Sequence, residues 1–454
     1  MINKTIVMVE SHYRSRSWFL ALKNIGLSHI ISVMPEEYNR FKTLGFPEKN
    51  ILNLYYNNET KNLYLHSIEY YENFLNIKMN KIVLMDRTLR KKNNKYISKY
   101  LNFLTNKLDE FFIHVKPKVI FIEPTWTHEI LICKFAKKYN IPIIAPVKDK
   151  LLPNNFLAFK DENHIDFYHN SDFQKAKINS ILAIDIVKKD TPIQYFQKFN
   201  KRNSFDLAKL PKLFRLIKLS LLNLRNPNIQ NSVINDIYIK CLSIIRAKIQ
   251  LSFVDFKILK DIKKNYVFVT LHVQPEASID VVGQKYSNQI ESVRSIAKTL
   301  SSDYILLIKE HSHAIGNRSF KFYRDLTEIP NLVLLHPEES SRDAIKKAAL
   351  VISNTGTSSL EAAILGIPAV TTTKMFFHEL MIKETFNPFE ENVMELLKRK
   401  YQNKFDVLEA KFFDIYKGSL EGNCGDFQTD KNVLDDINIK NLQGSFKSII
   451  KGLL

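Results

Sequence analysis

The sequence predicts an α/β protein with two parallel, doubly wound sheets, an added helical segment and a helical C-terminal tail. Three observations carry this. Short apolar runs alternate with stretches of helical periodicity in both the early and the late parts of the chain. Polar residues gather where apolar runs end, as they do in open parallel sheets that bind ligands at strand C-termini. The chain has 454 residues, more than one ordinary core holds.

The elements follow in order. Residues 6–9 read as a buried first strand, 29–33 and 51–55 as the second and third, and 82–85 as a fourth. A helix spans 95–112. Residues 118–122 form a short strand ended by Glu123-Pro124, a helix covers 128–139, and 141–145 is the next strand. This first domain runs through residues 1–164. From 165 to 262 strands are hard to find and helical periodicity dominates. The second α/β domain covers 263–385, with strands at 266–271, 304–308, 332–335, 350–353 and 369–372. Its helices fall at 287–300, 319–326, 340–348 and 358–365. The remainder, 386–454, reads as helices that pack back across the domains, with a loop at 422–430.

Composition narrows the class. Hydrophobic residues make up 45% and charged residues 25%, as in soluble globular proteins. There is no fixed-period repeat and no low-complexity tract. The formal charge of +19 has two readings. One is an anionic partner; the other is lysine dispersed over solvated faces. Nucleic-acid binding rests on charge alone, and no motif supports it. Within 209–225, Lys212, Arg215 and Lys218 fall near one helical face and Phe214, Ile217 and Leu221 on another. Such a helix either packs on its own protein or lies on an anionic membrane surface. Cys133, Cys241 and Cys424 are widely spaced and form no C-x-x-C pair, which fits a reducing compartment. No apolar run reaches 18 residues, so no spanning helix is expected.

Three segments of the second domain carry the chemistry. The first is Gln274-Pro275-Glu276-Ala277-Ser278-Ile279-Asp280, which puts carboxylates after the domain's first strand. Glu276 or Asp280 there could act as nucleophile or base, and Glu123 would face them across a cleft between the domains. The second is Lys309-Glu310-His311-Ser312-His313, where Lys309 and His311 could neutralise a phosphate leaving group. Alternate histidines also suit a metal, but no third ligand is evident and the chain has no Asp-x-Asp, so a metal-independent site is expected. The third is Thr355-Gly356-Thr357-Ser358-Ser359-Leu360-Glu361. There Gly356 would permit a tight turn, Thr357 or Ser358 would cap a helix, and the helix N-terminus would take a phosphate. Glu361 would complete a capping box with Ser358 or accept from a ribose hydroxyl. After the first strand, His12, Arg14 and Arg16 could meet an anionic acceptor or a donor carboxylate; otherwise that loop is merely solvated.

These residues resemble the capsule polysaccharide biosynthesis family, which includes retaining β-Kdo glycosyltransferases. The resemblance covers 264–380 well and rests on Gln274 to Ser278, Gly283, Gln289, Lys309-Glu310-His311, Phe322-Tyr323, Ile329-Pro330-Asn331, Thr355-Gly356-Thr357 and Glu361-Ala362. The first domain matches loosely, around 121–145. Relatives commonly read His-Pro where this chain has His311-Ser312. The resemblance implies a GT-B-like fold, two Rossmann-like domains facing a cleft, with a nucleotide-sugar donor held by the second. It implies transfer of a sugar, first of all Kdo from CMP-Kdo, with retention, and Glu276 aligned as the nucleophile. Another CMP- or UDP-sugar, or a non-catalytic glycan-binding role, is the alternative. Gln274, Thr355 and Ser359 join the expected donor-binding residues. The expected partners are the donor and a glycan or glycolipid acceptor, in the cytoplasm and peripheral to the inner membrane.

Overall fold

The computed structural model describes residues 5–11, 13–57, 65–169, 173–188, 233–311, 313–399 and 405–453. They divide into two compact units. The first holds the described residues up to Asn179 and from Lys417 onward, and the second those of 180–188 and Val233–Tyr416. His12 and the basic stretch 209–225 lie outside the described residues.

The first unit is built on a seven-stranded sheet. Its strands are β1 (Ile6–Val9), β2 (Leu27–Ser32), β3 (Ile51–Asn53), β4 (Val119–Phe121), β5 (Ile143–Lys148), β6 (Asn155–Phe159) and β13 (Ser419–Glu421), in the order β13-β6-β5-β4-β1-β2-β3. Strands β3 to β5 in this row are parallel, with the 3-2-1-4-5 order of a doubly wound half. β6 and β13 add antiparallel. All four residues of β1 are buried, as a central parallel strand covered on both faces requires.

The C-terminal chain completes this core. The helix Asp436–Leu453 buries Leu442, Phe446, Ile449 and Ile450 among Trp18, Phe19, Phe121 and Phe156. The Phe446 ring lies 4.8 Å from Phe121 and 5.7 Å from Phe156. The tail is not purely helical as expected, because β13 pairs with β6 ahead of this helix.

The second unit carries a six-stranded, all-parallel sheet. β7 (Phe256–Lys257), β8 (Asn265–Thr270), β9 (Tyr304–Lys309), β10 (Leu332–Leu335), β11 (Leu350–Ser353) and β12 (Ala369–Thr371) stand in the order β12-β11-β8-β9-β10-β7. Helices Gln289–Lys298, Phe320–Thr327, Ser341–Lys346 and Thr357–Ile364 form the crossovers. The central core joins Val267, Val269, Leu306, Ile308, Leu350 and Ile352 to Val293, Ile296, Tyr323 and Leu326.

One expected strand is corrected. Residues 82–85 belong to a helix, Met79–Met85. It buries Met79, Ile82 and Val83, a helical i, i+3, i+4 set, and leaves Leu84 61% exposed. A four-residue apolar run cannot announce which period it follows. β6, β7 and β13 are strands that sequence reasoning missed. In the segment expected to be helical, the described part holds the helices Phe173–Lys188 and Val233–Phe253 and then β7.

Both tryptophans of the chain, Trp18 and Trp126, lie in the first unit. Phe446→Ala should therefore lower the denaturant midpoint followed by tryptophan fluorescence, corresponding to about 3–5 kcal/mol for a fully buried ring. An unchanged midpoint would mean that the C-terminal helix is not part of the first core.

Candidate functional site

Strand register places the site. Ser353 of β11 pairs with Thr270 of β8, and Thr270 pairs with Lys309 of β9. The three stand in one row across adjacent strands, so the loops that follow start from the same edge. β8 lies where the chain order reverses, the position at which open α/β sheets form ligand crevices.

The loop after β8 is clamped from several sides. His272 donates its backbone N–H to Gln289 Oε1 at 2.7 Å, and its carbonyl accepts from Gln289 Nε2 at 3.0 Å and Arg318 Nη2 at 2.5 Å. Gln289 Nε2 also donates to Gln274 Oε1 at 2.7 Å. The Gln274–Pro275 peptide is cis. Asp280 is buried and accepts from Gln274 Nε2 at 3.3 Å and from the Glu276 N–H at 3.1 Å. Its carboxylate closes the turn. Glu276 is exposed, and among the described residues its carboxylate accepts a local bond from Ser278 Oγ at 3.1 Å. Of the two carboxylates, Asp280 is held inside the loop and Glu276 is presented outward.

The loop after β9 begins with two buried charges that point to opposite faces of the sheet. Lys309 donates Nζ to the Pro337 carbonyl at 2.6 Å, and burial pushes its pKa down to about 8, with Glu339 and Glu310 acting the other way. Its ammonium is engaged inside the fold, whereas the sequence suggested a phosphate contact. Glu310 accepts from Arg318 Nε at 3.1 Å, Tyr323 Oη at 3.4 Å and the His311 N–H at 2.8 Å. Burial raises its pKa against the pull of Arg318. His311 is half-buried; its Nδ1 accepts from the His313 N–H at 3.2 Å, and the two rings meet edge-on at 5.1 Å.

The loop after β11 leads into the helix Thr357–Ile364. Asn354 Oδ1 accepts from Thr372 Oγ1 at 2.9 Å and Thr373 Oγ1 at 2.7 Å, and Nδ2 donates to the Gly283 carbonyl at 3.3 Å. A Cβ on Gly283 would come within 2.8 Å of the Asn354 amide, so this contact needs glycine. Thr355 donates its N–H to His272 Nε2 at 3.3 Å and its hydroxyl to the Ser278 carbonyl at 3.1 Å. The first and third loops are thereby tied to each other.

Two expectations about this helix are corrected. Gly356 is its N-cap, in extended backbone at φ −81°, and no side chain caps it. The glycine is favoured instead by crowding, since a Cβ would lie 3.2 Å from Ser353 Cβ. Ser358 Oγ pairs with Thr270 Oγ1 at 2.7 Å, and Ser359 Oγ pairs with Ser353 Oγ at 2.7 Å and donates to the Val370 carbonyl at 3.0 Å. With Gly356 as N-cap, Glu361 is too far along the helix for a capping box with Ser358. Burial raises the Glu361 pKa, opposed by Arg342 and Lys346. Thr357 is exposed at the first turn, where N–H groups have no intrahelical partner.

In the first unit, Glu123 at the end of β4 accepts from Ser11 Oγ at 2.7 Å and forms an ion pair with Arg14, whose pKa it raises. Arg16 is buried and paired with Glu37, with its guanidinium 4.4 Å from the Phe427 ring centroid. Arg16 is thus committed inside the unit, whereas Arg14 and Glu123 stay partly accessible at 42% and 15%. Buried Glu129 accepts from the N–H groups of Thr125 at 2.7 Å and Trp126 at 3.0 Å, which shapes the loop next to Glu123.

Sequence reasoning gave no role to His272, Asn354 or Arg318. His272 had a signal, its place directly after the central strand. Arg318 had none, because its partners come from two different loops.

Burial pushes the His272 pKa down to about 4, with His311 and Arg318 adding to the effect. The unfolded chain takes up this proton near the ordinary 6.5, whereas the folded unit takes it up only near 4. The stability is therefore complete above 6.5 and is lost as pH falls through that window, on the order of 2 kcal/mol with partial solvent access. Protection factors of the β8 amides, taken relative to the intrinsic exchange rate at each pH, should fall across this range. Replacing His272 by Gln should remove that pH dependence.

Comparison with known proteins gave no matching family model and no matching curated protein. Solved structures align over nearly the whole chain but loosely. Thermosulfurimonas dismutans KpsC, beta Kdo 2,7 transferase, is 11% identical, with 99% of each chain covered and a TM-score of 0.36. UDP-GlcNAc 2-epimerase from Neisseria meningitidis, bound to UDP-GlcNAc, is 11% identical, with 99% of each chain covered and a TM-score of 0.27. The glycotransferase of kitacinnamycin is 12% identical, with 100% of each chain covered and a TM-score of 0.25. At these scores no function is carried over from any of them.

Proposed function

We propose that the chain is a glycosyltransferase that takes a nucleotide sugar at the strand-end site of its second unit. One observation carries this reading. An exposed carboxylate, Glu276, sits on a turn clamped by Asp280, Gln274 and Gln289, and that turn is bonded to the loop opening the Thr357–Ile364 helix. A helix N-terminus favours an anionic leaving group, and an outward carboxylate beside it suits an electrophilic anomeric carbon. His272 and His311 supply polar imidazole edges to the same loops.

In the proposed reaction a Glu276 oxygen attacks the anomeric carbon. The bond to the nucleotide phosphate breaks, and its electron pair leaves with the phosphate at the helix N-terminus. An acceptor hydroxyl then gives up its proton to a base and displaces Glu276. Two displacements retain the anomeric configuration. Glu123 is the proposed base; its pairing with Arg14 and Ser11 supports a defined carboxylate. The proposed donor is CMP-Kdo and the product a bacterial surface polysaccharide, both resting on the motif resemblance. Leaving-group stabilisation is assigned to the helix N-terminus and His311, without a metal.

Glu276→Gln should keep nucleotide binding and lose transfer by about 10³-fold or more. Transfer at the parental rate would be fatal to the assignment, and loss only in Asp280→Asn would move the nucleophile. Thr357→Glu should leave the helix folded and weaken CMP and UDP binding at least about tenfold by like-charge repulsion; unchanged binding would place the nucleotide elsewhere. Transfer should survive EDTA, and rescue of a chelated, inactive enzyme by magnesium would contradict the metal-independent reading. A protein that binds glycans but needs neither Glu276 nor Glu123 would be a binding module.

A further inference from the structure

The helix Val233–Phe253 has two faces with different tasks. Its inner face grips the loop that carries His311. Gln250, fully buried, donates Nε2 to the Arg318 carbonyl at 2.8 Å, and its Oε1 accepts from the Gly316 N–H at 2.9 Å. Gly316 has φ +79°, and a Cβ there would lie 2.0 Å from the Ser243 carbonyl oxygen, so loop and helix backbones are in direct contact. The outer face is apolar and uncovered among the described residues. Ile245, Ile249 and Phe253, spaced four apart, are 57%, 39% and 82% exposed.

We infer that this outer face rests on an anionic phospholipid surface, with Ile245, Ile249 and Phe253 at the headgroup–acyl boundary. The charges beside the stripe identify the occupant. Between Asp236 and Asp255 there is no carboxylate, whereas Arg246 and Lys248 flank the stripe on either side. An isologous contact with a second copy would bring Arg246 and Lys248 against their own equivalents with no acid to meet them. Cover by residues 189–232, which lie outside the described residues, is the outcome, tested below, in which the triple variant loses folding stability. An anionic surface meets both charges, and apolar side chains flanked by basic ones are the composition of an interfacial helix. No described helix is long and apolar enough to cross a membrane, so contact at the interface is the form this takes. The inference does not depend on which donor the site takes.

The test is sedimentation of the full chain with extruded vesicles, one set of phosphatidylcholine alone and one an equal mixture with phosphatidylglycerol. The parent should bind the anionic set, and less at high salt. The triple variant Ile245→Ser, Ile249→Ser, Phe253→Ser should lose at least about tenfold in partitioning, and Lys248→Glu at least about fivefold. Both variants should keep the parent's thermal midpoint, because the substituted side chains are exposed. Equal binding to neutral vesicles, or a triple variant that partitions like the parent, overturns the inference. So does a parent that self-associates through this stripe without binding vesicles, or a triple variant that loses folding stability while still binding them.

Discussion

One buried guanidinium holds the candidate site together. Arg318 pairs with Glu310 after β9 and donates to the His272 carbonyl after β8, while its own carbonyl is fixed by Gln250 from the helix Val233–Phe253. The guanidinium also lies 4.4 Å from the Phe322 ring centroid. A charge taken out of water must find nearly all of its partners, and removing one of them leaves the other charge stranded. Three separate segments are therefore locked by the need to satisfy a single residue. The clamp formed by Gln289, and the bond from Thr355 to His272, extend this rigid frame to the helix at which an anion would bind.

The acidic residues of the chain divide by what their oxygens already hold. Glu10 accepts from the N–H groups of Val33 and Met34, Asp280 closes its own turn, and Glu310 balances Arg318. Such carboxylates shape loops. Among the described residues Glu276 has a local hydroxyl contact, and it stands outside the frame that Asp280 builds. In the proposed reaction this frame would position Glu276 as the nucleophile. Arg14 and Glu123 form a comparable outward pair at the end of β1 and β4, whereas Arg16 and Glu37 turn inward.

The helix Val233–Phe253 belongs to this economy of contacts. Its buried side is polar where it meets the loop, through Gln250, and backbone-close where Gly316 removes the side chain that would intervene. The element that holds the His311 loop in place is thus the same one whose outer face carries the apolar stripe.

The sequence by itself determined the alternation of strands and helices, the two parallel sheets and the polar loops at the strand ends of the second. Apolar runs such as Leu350–Ser353 and residues 305–308 are buried on both faces, so composition and length mark them without any knowledge of neighbours. Tertiary structure decided the rest. The short strands β6, β7 and β13 escape notice because two to five residues carry too little periodicity, and β13 pairs with distant chain, Ser419 with Leu157. Residues 82–85 chose a helix because Met79 supplied the burial that completes its face. Lys309 and Glu310 are neighbours in sequence, yet Lys309 turns to the Pro337 carbonyl and Glu310 to Arg318. Side chains alternate across a strand, and only the packed sheet settles which side is core and which edge is open.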